Sequence, residues 1–289
     1  MSLYFVSDAL ASRIQNTESI NSNLGMERNI PRGAELEDAA LLGHLKLDIV
    51  EKLCSEISVV DQQSFYIISN FVTLTPQIKQ QLIKYKNYII FEHDHKYIQT
   101  RNPFSFSTDG KVPADKLINI DFYRAAKKVV CITEWHQAQV KLNTGADVAN
   151  IHGGIWTASE LDMFETIAES RTPSSKYAIF WSTYKNPQES LQYASSNKLE
   201  YRLLRSISNR QQFLEILSKH KGLIFFPSIP ETGSRLIMES KMMGLEVITN
   251  NFSGAANEYW FNLSGKELVD LFRKLTIDNV NLFKGLLNV

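Results

Sequence analysis

The sequence predicts an α/β protein with two parallel sheets, each covered by helices. Three observations predict it. Short apolar runs alternate with amphipathic segments along the whole chain. The alternation is interrupted once, by the polar stretch 170–175 (SRTPSS), and then restarts. The 289 residues, 44% of them hydrophobic, are enough for two ordinary cores.

The first half reads in order as follows. Residues 3–6 (LYFV) form an opening strand. The Asn-rich stretch 12–31 reads as a long polar loop. Arg32-Gly33-Ala34-Glu35 then opens a helix expected to run to about Leu53, with Leu36, Ala39, Ala40, Leu47 and Val50 as its apolar face. Residues 65–68 (FYII) are a buried strand. Thr75-Pro76 caps and starts a helix, because Pro tolerates the first helical position. Residues 88–91 (YIIF) are the next strand and run into Glu92-His93-Asp94-His95. Polar residues there lie at the C-terminal end of a strand, where open α/β sheets bind ligands. An irregular segment, 96–119, precedes a helix over 121–128, a strand over 129–132, a helix capped by Thr133 and a strand over 148–151. His152-Gly153-Gly154 suits a hinge, with His152 structural rather than catalytic.

A helix over 159–169 leads to the polar stretch at 170–175. Strands are then expected at 177–181, 201–204, 223–226 and 247–248, alternating with helices. Two C-terminal helices, 265–274 and 277–287, complete the chain, the last packing back on the first half. The expected organisation is an N-terminal Rossmann-like domain over 1–155, a linker over 156–175 and a C-terminal Rossmann-like domain over 176–289. The two would face each other across a cleft.

Composition narrows the function classes. Thirty-one basic residues balance 31 acidic ones, so no global field draws the chain to nucleic acid or an anionic membrane. Cys54 and Cys131 are too few for a disulfide framework and lack metal-ligand spacing. They read as buried thiols of a protein from a reducing compartment. No run of about 18 apolar residues offers a membrane span, and the N-terminus lacks a signal-peptide pattern. The expected location is cytoplasmic, or the host cytoplasm for a viral protein.

The stretch 227–244 (PSIPETGSRLIMESKMMG) carries the chemistry. An apolar run, 223–226, precedes it, and a turn with Pro230 and Gly233 opens a helix near Ser234. Free backbone N–H groups and the positive end of the helix dipole suit a phosphate there. Gly233 lets a ligand approach the backbone, and Arg235 could add a bidentate contact. Glu231 and Glu239 stand eight positions apart, where they could accept from sugar and ribose hydroxyls. On spacing alone, two solvated acids beside an ordinary capped helix is the reading slightly ahead.

The segment 230–249 (PETGSRLIMESKMMGLEVIT) resembles the Glu-x7-Glu signature of retaining GT-B glycosyltransferases, of the type of glycosyltransferase family 4. Glu231 and Glu239 match the two acids, and Gly233, Ser234, Arg235 and Leu236 match the phosphate-binding turn. Glu246 stands where that family usually has Pro. The resemblance implies GT-B architecture and several further sites. Lys185, in 182–186, matches a Lys that neutralises the donor diphosphate. The Arg expected about five residues earlier is replaced by Phe180, with Arg205 or Arg210 as substitutes. Gly33 matches a turn facing the donor phosphate, although Arg32 replaces its first Gly. His93 and His95 match a His-bearing turn at the sugar and acceptor pocket. Asp94, Arg101 and Asn102 are weaker acceptor contacts.

The resemblance therefore implies transfer of a sugar from a nucleoside-diphosphate donor, UDP ahead of GDP, to a hydroxyl acceptor, with retention of configuration. Glu231, His93 and His95 are its catalytic candidates. No cofactor and no metal are expected, since adjacent residues on an extended turn such as 92–95 point apart. The partners are a nucleotide sugar and an acceptor of open class, with a homodimer as one option. Two other readings stay open: a GT-B-like module that binds a nucleotide sugar or a partner without turnover, and a sugar transferase acting on hydroxylated DNA bases.

Overall fold

The computed structural model describes residues 2–14, 31–181, 187–205, 207 and 209–288. The chain forms two compact units. One comprises Met1–Ile155 and Ile277–Val289, the other Trp156–Thr276. Among the described residues no helix is long and apolar enough to cross a membrane.

The first unit runs β1 (Leu3–Ser7), α1 (Ala11–Ile14), α2 (Gly33–Leu45), β2 (Ile49–Leu53), β3 (Phe65–Ile68), α3 (Pro76–Tyr85), β4 (Tyr88–Glu92), α4 (Ile120–Ala125), β5 (Val129–Cys131), α5 (Glu134–Thr144) and β6 (Val148–Asn150). Its sheet has the order β2-β1-β3-β4-β5-β6, with every neighbouring pair parallel. The chain leaves β1 for β2 on one side and returns to β3 on the other, so the strand order reverses at β1. Side chains alternate across the sheet. Phe5, Ile67, Ile89 and Val130 enter one apolar layer, while Val6, Ile68, Ile90 and Cys131 enter the opposite one. Burial on both faces explains why these strands read as continuous apolar runs.

Local chemistry sets the helix ends. Thr75 Oγ1 accepts from the Ile78 N–H ahead of Pro76. Thr133 Oγ1 accepts from the His136 N–H, and Gly145 ends α5 in the left-handed region at φ 67°. Cys54 and Cys131 are buried free thiols.

The expected helix over 33–53 is corrected. It stops at Leu45, Lys46 turns left-handed at φ 52°, and 49–53 is a strand. Leu47 and Val50 therefore lie outside the helix whose face they were expected to extend. The stretch Ile49–Leu53 (IVEKL) is an edge strand paired only to β1, so it mixes apolar and charged residues and mimics helical amphipathicity.

The second unit runs α6 (Ala158–Ser170), β7 (Tyr177–Trp181), α7 (Gln188–Ser196), β8 (Tyr201–Arg205), α8 (Arg210–Ser218), β9 (Gly222–Phe225), α9 (Arg235–Met242), β10 (Glu246–Thr249) and the start of α10 (Gly265–Leu287). Its sheet has the order β10-β9-β7-β8, again all parallel. The order reverses at β7, so a switch point lies between the C-terminal ends of β7 and β9. Within the stretch read as a linker, α6 buries Leu161 and Phe164 in this unit's core. Arg171 donates to carbonyls of Ser218, His220 and Gly244.

The two expected C-terminal helices are one. No Gly or Pro interrupts 275–278, and the buried polar residues Thr276 and Asn279 have internal partners. Thr276 Oγ1 accepts from the Trp156 N–H at 3.3 Å, within the second unit. Asn279 Nδ2 donates to the carbonyls of Ile151 and Gly154 at 2.8 and 3.1 Å, within the first.

Candidate functional site

In the second unit β9 leads into the turn that opens α9. The turn is pinned by its backbone: the Glu231 N–H donates to the Phe252 carbonyl at 2.8 Å, and the Glu231 carbonyl accepts from the Gly254 N–H at 2.7 Å. Glu231 is thus bridged in parallel to Ser253, on the loop after β10. Ser234 precedes α9 in the left-handed region, at φ 49° and ψ 76°. Its carbonyl takes the Ile237 and Met238 N–H groups. The Arg235 and Leu236 N–H groups precede the helix's own bonds and form its donor end. Ser234 Oγ is buried beside them with no hydrogen-bond partner. Thr249 Oγ1, at the end of β10, and Ser253 Oγ, on the loop after it, are buried and unpaired as well. Unmet buried hydroxyls are costly, and three on the C-terminal side of one small sheet mark a place for polar ligand atoms.

Glu239, about one turn into α9, is buried, and its Oε1 accepts from Arg210 at 2.7 Å and Arg235 at 3.2 Å. The same two guanidiniums reach Glu160 Oε1 of α6, at 3.2 and 2.6 Å. Arg235 also lies 3.9 Å from the centroid of the Trp156 ring. Burial works against the Glu160 charge, but Arg235 and Arg210 outweigh it and hold the carboxyl below its ordinary range. Arg210 is affected in the mirror sense: burial lowers it, and Glu239 and Glu160 raise it further.

In the first unit, β4 ends in Glu92, which is fully buried. Both its oxygens are engaged. Lys96 Nζ and the Asp94 N–H approach Oε1 at 2.6 and 2.9 Å, and the Tyr123 hydroxyl donates to Oε2. His93 Nε2 lies 2.8 Å from Asp38 Oδ1, and the Ser69 hydroxyl reaches both oxygens of the same carboxylate. Burial pushes the His93 pKa down, yet the charge and hydrogen bond of Asp38, with help from Glu37, bring it above the ordinary value.

His95 is fully buried among Tyr97, Trp135 and His136. Tyr97 Oη lies 3.0 Å from its Nδ1 and accepts from Asn143 at 3.5 Å. That chain makes Tyr97 the donor to Nδ1 and leaves the proton on Nε2, which has no partner. Burial, with His136 adding, takes the His95 pKa down to about 3. His136 also falls to about 3, mainly through burial.

The residues expected from the sequence thus fall into groups. Gly233, Ser234, Arg235, Leu236, Glu231 and Glu239 are assembled around one helix start. Within that group the Arg235 side chain is turned to Glu160, Glu239 and Trp156, so only its backbone is placed as a phosphate donor. Lys185 and its turn lie outside the described residues. Phe180 packs edge-on against Phe213, and Arg205 lies 4.5 Å over the Trp181 ring. In the first unit, Gly33 is the first residue of α2, behind an Arg32 N–H bonded to the Glu35 side chain at 2.9 Å. Asp94 pairs with Arg101, and Asn102 Oδ1 caps the short turn Pro103–Ser105. At 152–154 three residues in a row have positive φ, and a Cβ on Gly154 would sit 2.2 Å from Glu37 Oε1. The sequence reasoning missed Asp38, Ser69, Glu160 and Ser253, and it read Arg210 as a diphosphate contact, whereas its guanidinium is turned to Glu239 and Glu160. For Asp38 and Glu160 the available signal was only an acidic residue on an amphipathic helix.

No protein-family model matches the chain, and no curated protein matches it. Solved structures do. A structure of Anabaena HepE in complex with UDP aligns with TM-score 0.51 at 13% identity, over 96% of this chain and 91% of that one. HepE in complex with UDP and glucose aligns with TM-score 0.50 at 13% identity, over 99% and 92%. A trehalose-6-phosphate structure from E. coli, bound with UDP-2-fluoro glucose, aligns with TM-score 0.52 at 11% identity, over 100% and 99%. At these identities the likeness establishes the fold, which is that of GT-B glycosyltransferase structures.

Proposed function

We propose that this protein is a GT-B glycosyltransferase that moves a sugar from a nucleoside-diphosphate donor, UDP ahead of GDP, to a hydroxyl acceptor with retention of configuration. One observation carries the reading: the buried, unpaired Ser234 hydroxyl beside the N–H donors of α9, at the switch point of the second unit's sheet. A fold hosts many activities, so the reading rests on this site and on the Glu-x7-Glu resemblance. The three similar structures, two of HepE with UDP or with UDP and glucose and one from E. coli with UDP-2-fluoro glucose, support a uridine donor. Retention rests on the resemblance alone.

In this reading the Arg235 and Leu236 N–H groups and Ser234 Oγ meet the diphosphate as charge develops on it. Fixed donors of this kind contribute about 3 kcal/mol each to a transition state. Glu231 accepts from sugar hydroxyls and Glu239 from the ribose. Lys185 adds positive charge. The first unit carries the acceptor-side groups, with His93 paired to Asp38, and Asp94, Arg101 and Asn102 nearby in sequence. His95 shapes this turn from within the core.

The test is a panel of nucleoside-diphosphate sugars screened by thermal shift, followed by nucleotide-release assays with the donors that bind. The expected result is stabilisation by a UDP-sugar and turnover that Glu231→Ala removes while its melting temperature stays. Near-normal turnover in that variant sinks the donor-site assignment. Binding without nucleotide release for any acceptor identifies a binding module instead.

A further inference from the structure

The four charges of the Glu239 cluster come from three helices and are arranged unequally. Glu160 of α6 has both oxygens engaged. Oε1 takes Arg235 at 2.6 Å and Arg210 at 3.2 Å, and Oε2 takes the Thr157 N–H and hydroxyl, both at 3.0 Å. Glu239 of α9 has only Oε1 engaged, by Arg210 at 2.7 Å and Arg235 at 3.2 Å. Its Oε2 has no hydrogen bond among the described residues. Two guanidiniums are therefore shared between two carboxylates, and the one spare acceptor in the network belongs to Glu239.

We propose that Glu160 and Arg210 are positioning residues for nucleotide recognition, holding Glu239 so that its second oxygen stays available to the ribose hydroxyls of the donor. This rests on the donor site proposed above. The physical reason is stoichiometric. Paired with two guanidiniums, a single buried carboxylate would satisfy both with both of its oxygens, because bidentate pairing is the favoured geometry. Glu160 takes up half of that positive charge, and its own position is set by the capping box of α6 with Thr157. Arg235 cannot follow Glu239 freely either, since its guanidinium lies on the Trp156 ring at 3.9 Å. Arg210, on α8, closes the set from the other side. The residues differ in sequence position by up to 79, so no local motif encodes the arrangement.

The experiment is titration calorimetry of UDP and 2′,3′-dideoxy-UDP into the full chain, as wild type, Glu160→Gln and Arg210→Lys. Melting curves establish that each variant is folded. The wild type is expected to prefer UDP over the dideoxy analogue. In Glu160→Gln, UDP affinity is expected to fall about tenfold, equivalent to ~1.4 kcal/mol. Affinity for the analogue should change little, so the preference collapses towards one. Arg210→Lys, which keeps the charge but loses the fork, should lower the preference less. It decides the matter alone if Glu160→Gln does not fold. A merely structural role would weaken both ligands equally and leave the preference intact, and that result overturns the inference. A wild type that binds UDP without preferring it overturns it too. A wild type that binds no nucleotide overturns the functional reading beneath it.

Discussion

Two buried acid–base clusters sit beyond the C-terminal ends of the two sheets, and they differ in one respect. Around Glu92 every oxygen is taken: Lys96, the Asp94 N–H and Tyr123 close the set, and Lys96 also lies 5.5 Å from the Phe71 ring centroid. Around Glu239 the charges balance, but one oxygen is spare, and unpaired hydroxyls lie on the same side of the sheet. A closed cluster ties its loop to the core. An open one, held rigid by partners that do not exhaust it, keeps a polar group ready for a ligand. The difference teaches that burial and charge do not by themselves identify a site. What identifies it is spare hydrogen-bonding capacity gathered around one helix start, where a single unpaired atom such as His95 Nε2 or Ser7 Oγ does not suffice.

The largest effect that would sharpen this contrast lies in the closed cluster. Lys96→Met leaves Glu92 buried without its cation, and breaking such a pair costs about 3–5 kcal/mol. Denaturant unfolding should show that loss, while UDP affinity of the remaining folded protein is unchanged. A stability change below about 1 kcal/mol would show that the cluster is not the staple described.

Next in size is the pH dependence. His95 and His136 are held near 3 in the folded chain against an ordinary 6.5. Folding therefore keeps them neutral, and their contribution is present above pH 6.5 and lost as pH falls from there towards 3. Each adds a slope of up to ~1.4 kcal/mol per pH unit in that window. His93 has the opposite sign. Its pKa is raised, so its contribution is full below 6.5 and lost as pH rises through the raised value. Stability measured against pH should fall on acidification, less steeply in His95→Asn. An unchanged slope in that variant would contradict a neutral, buried His95.

A smaller effect separates the open site from the closed one. Ser234→Ala removes a hydroxyl that has no internal partner, so stability should hold or rise slightly. UDP affinity should fall about three- to tenfold, the worth of one hydrogen bond. Loss of stability with unchanged affinity would reverse the assignment. The smallest expected change is Thr133→Ala, the N-cap of α5, at about 1 kcal/mol of stability with no effect on nucleotide binding.

Much of this was legible in the sequence because its causes are local. Strands buried on both faces write themselves as runs such as Phe65–Ile68. Thr75-Pro76 and Thr133 announce helix starts, and the turn before α9 lies within one short stretch. What was not legible has long-range causes. The edge strand Ile49–Leu53 pairs on one side only, so its mixed pattern passes for a continued helix. The break expected in α10 is bridged by Thr276 and Asn279, whose partners are far away in sequence. Asp38 and Glu160 look like solvated helix acids until folding places His93 and Ser69 on one, and Arg210 and Arg235 on the other.

The most direct test of the open site is a crystal structure of the chain with UDP. The account predicts the diphosphate within about 3.2 Å of the Leu236 N–H and Ser234 Oγ, with a ribose hydroxyl on Glu239 Oε2. UDP bound elsewhere on the chain, or Ser234 Oγ and Glu239 Oε2 left without contacts in a nucleotide-saturated crystal, would contradict it.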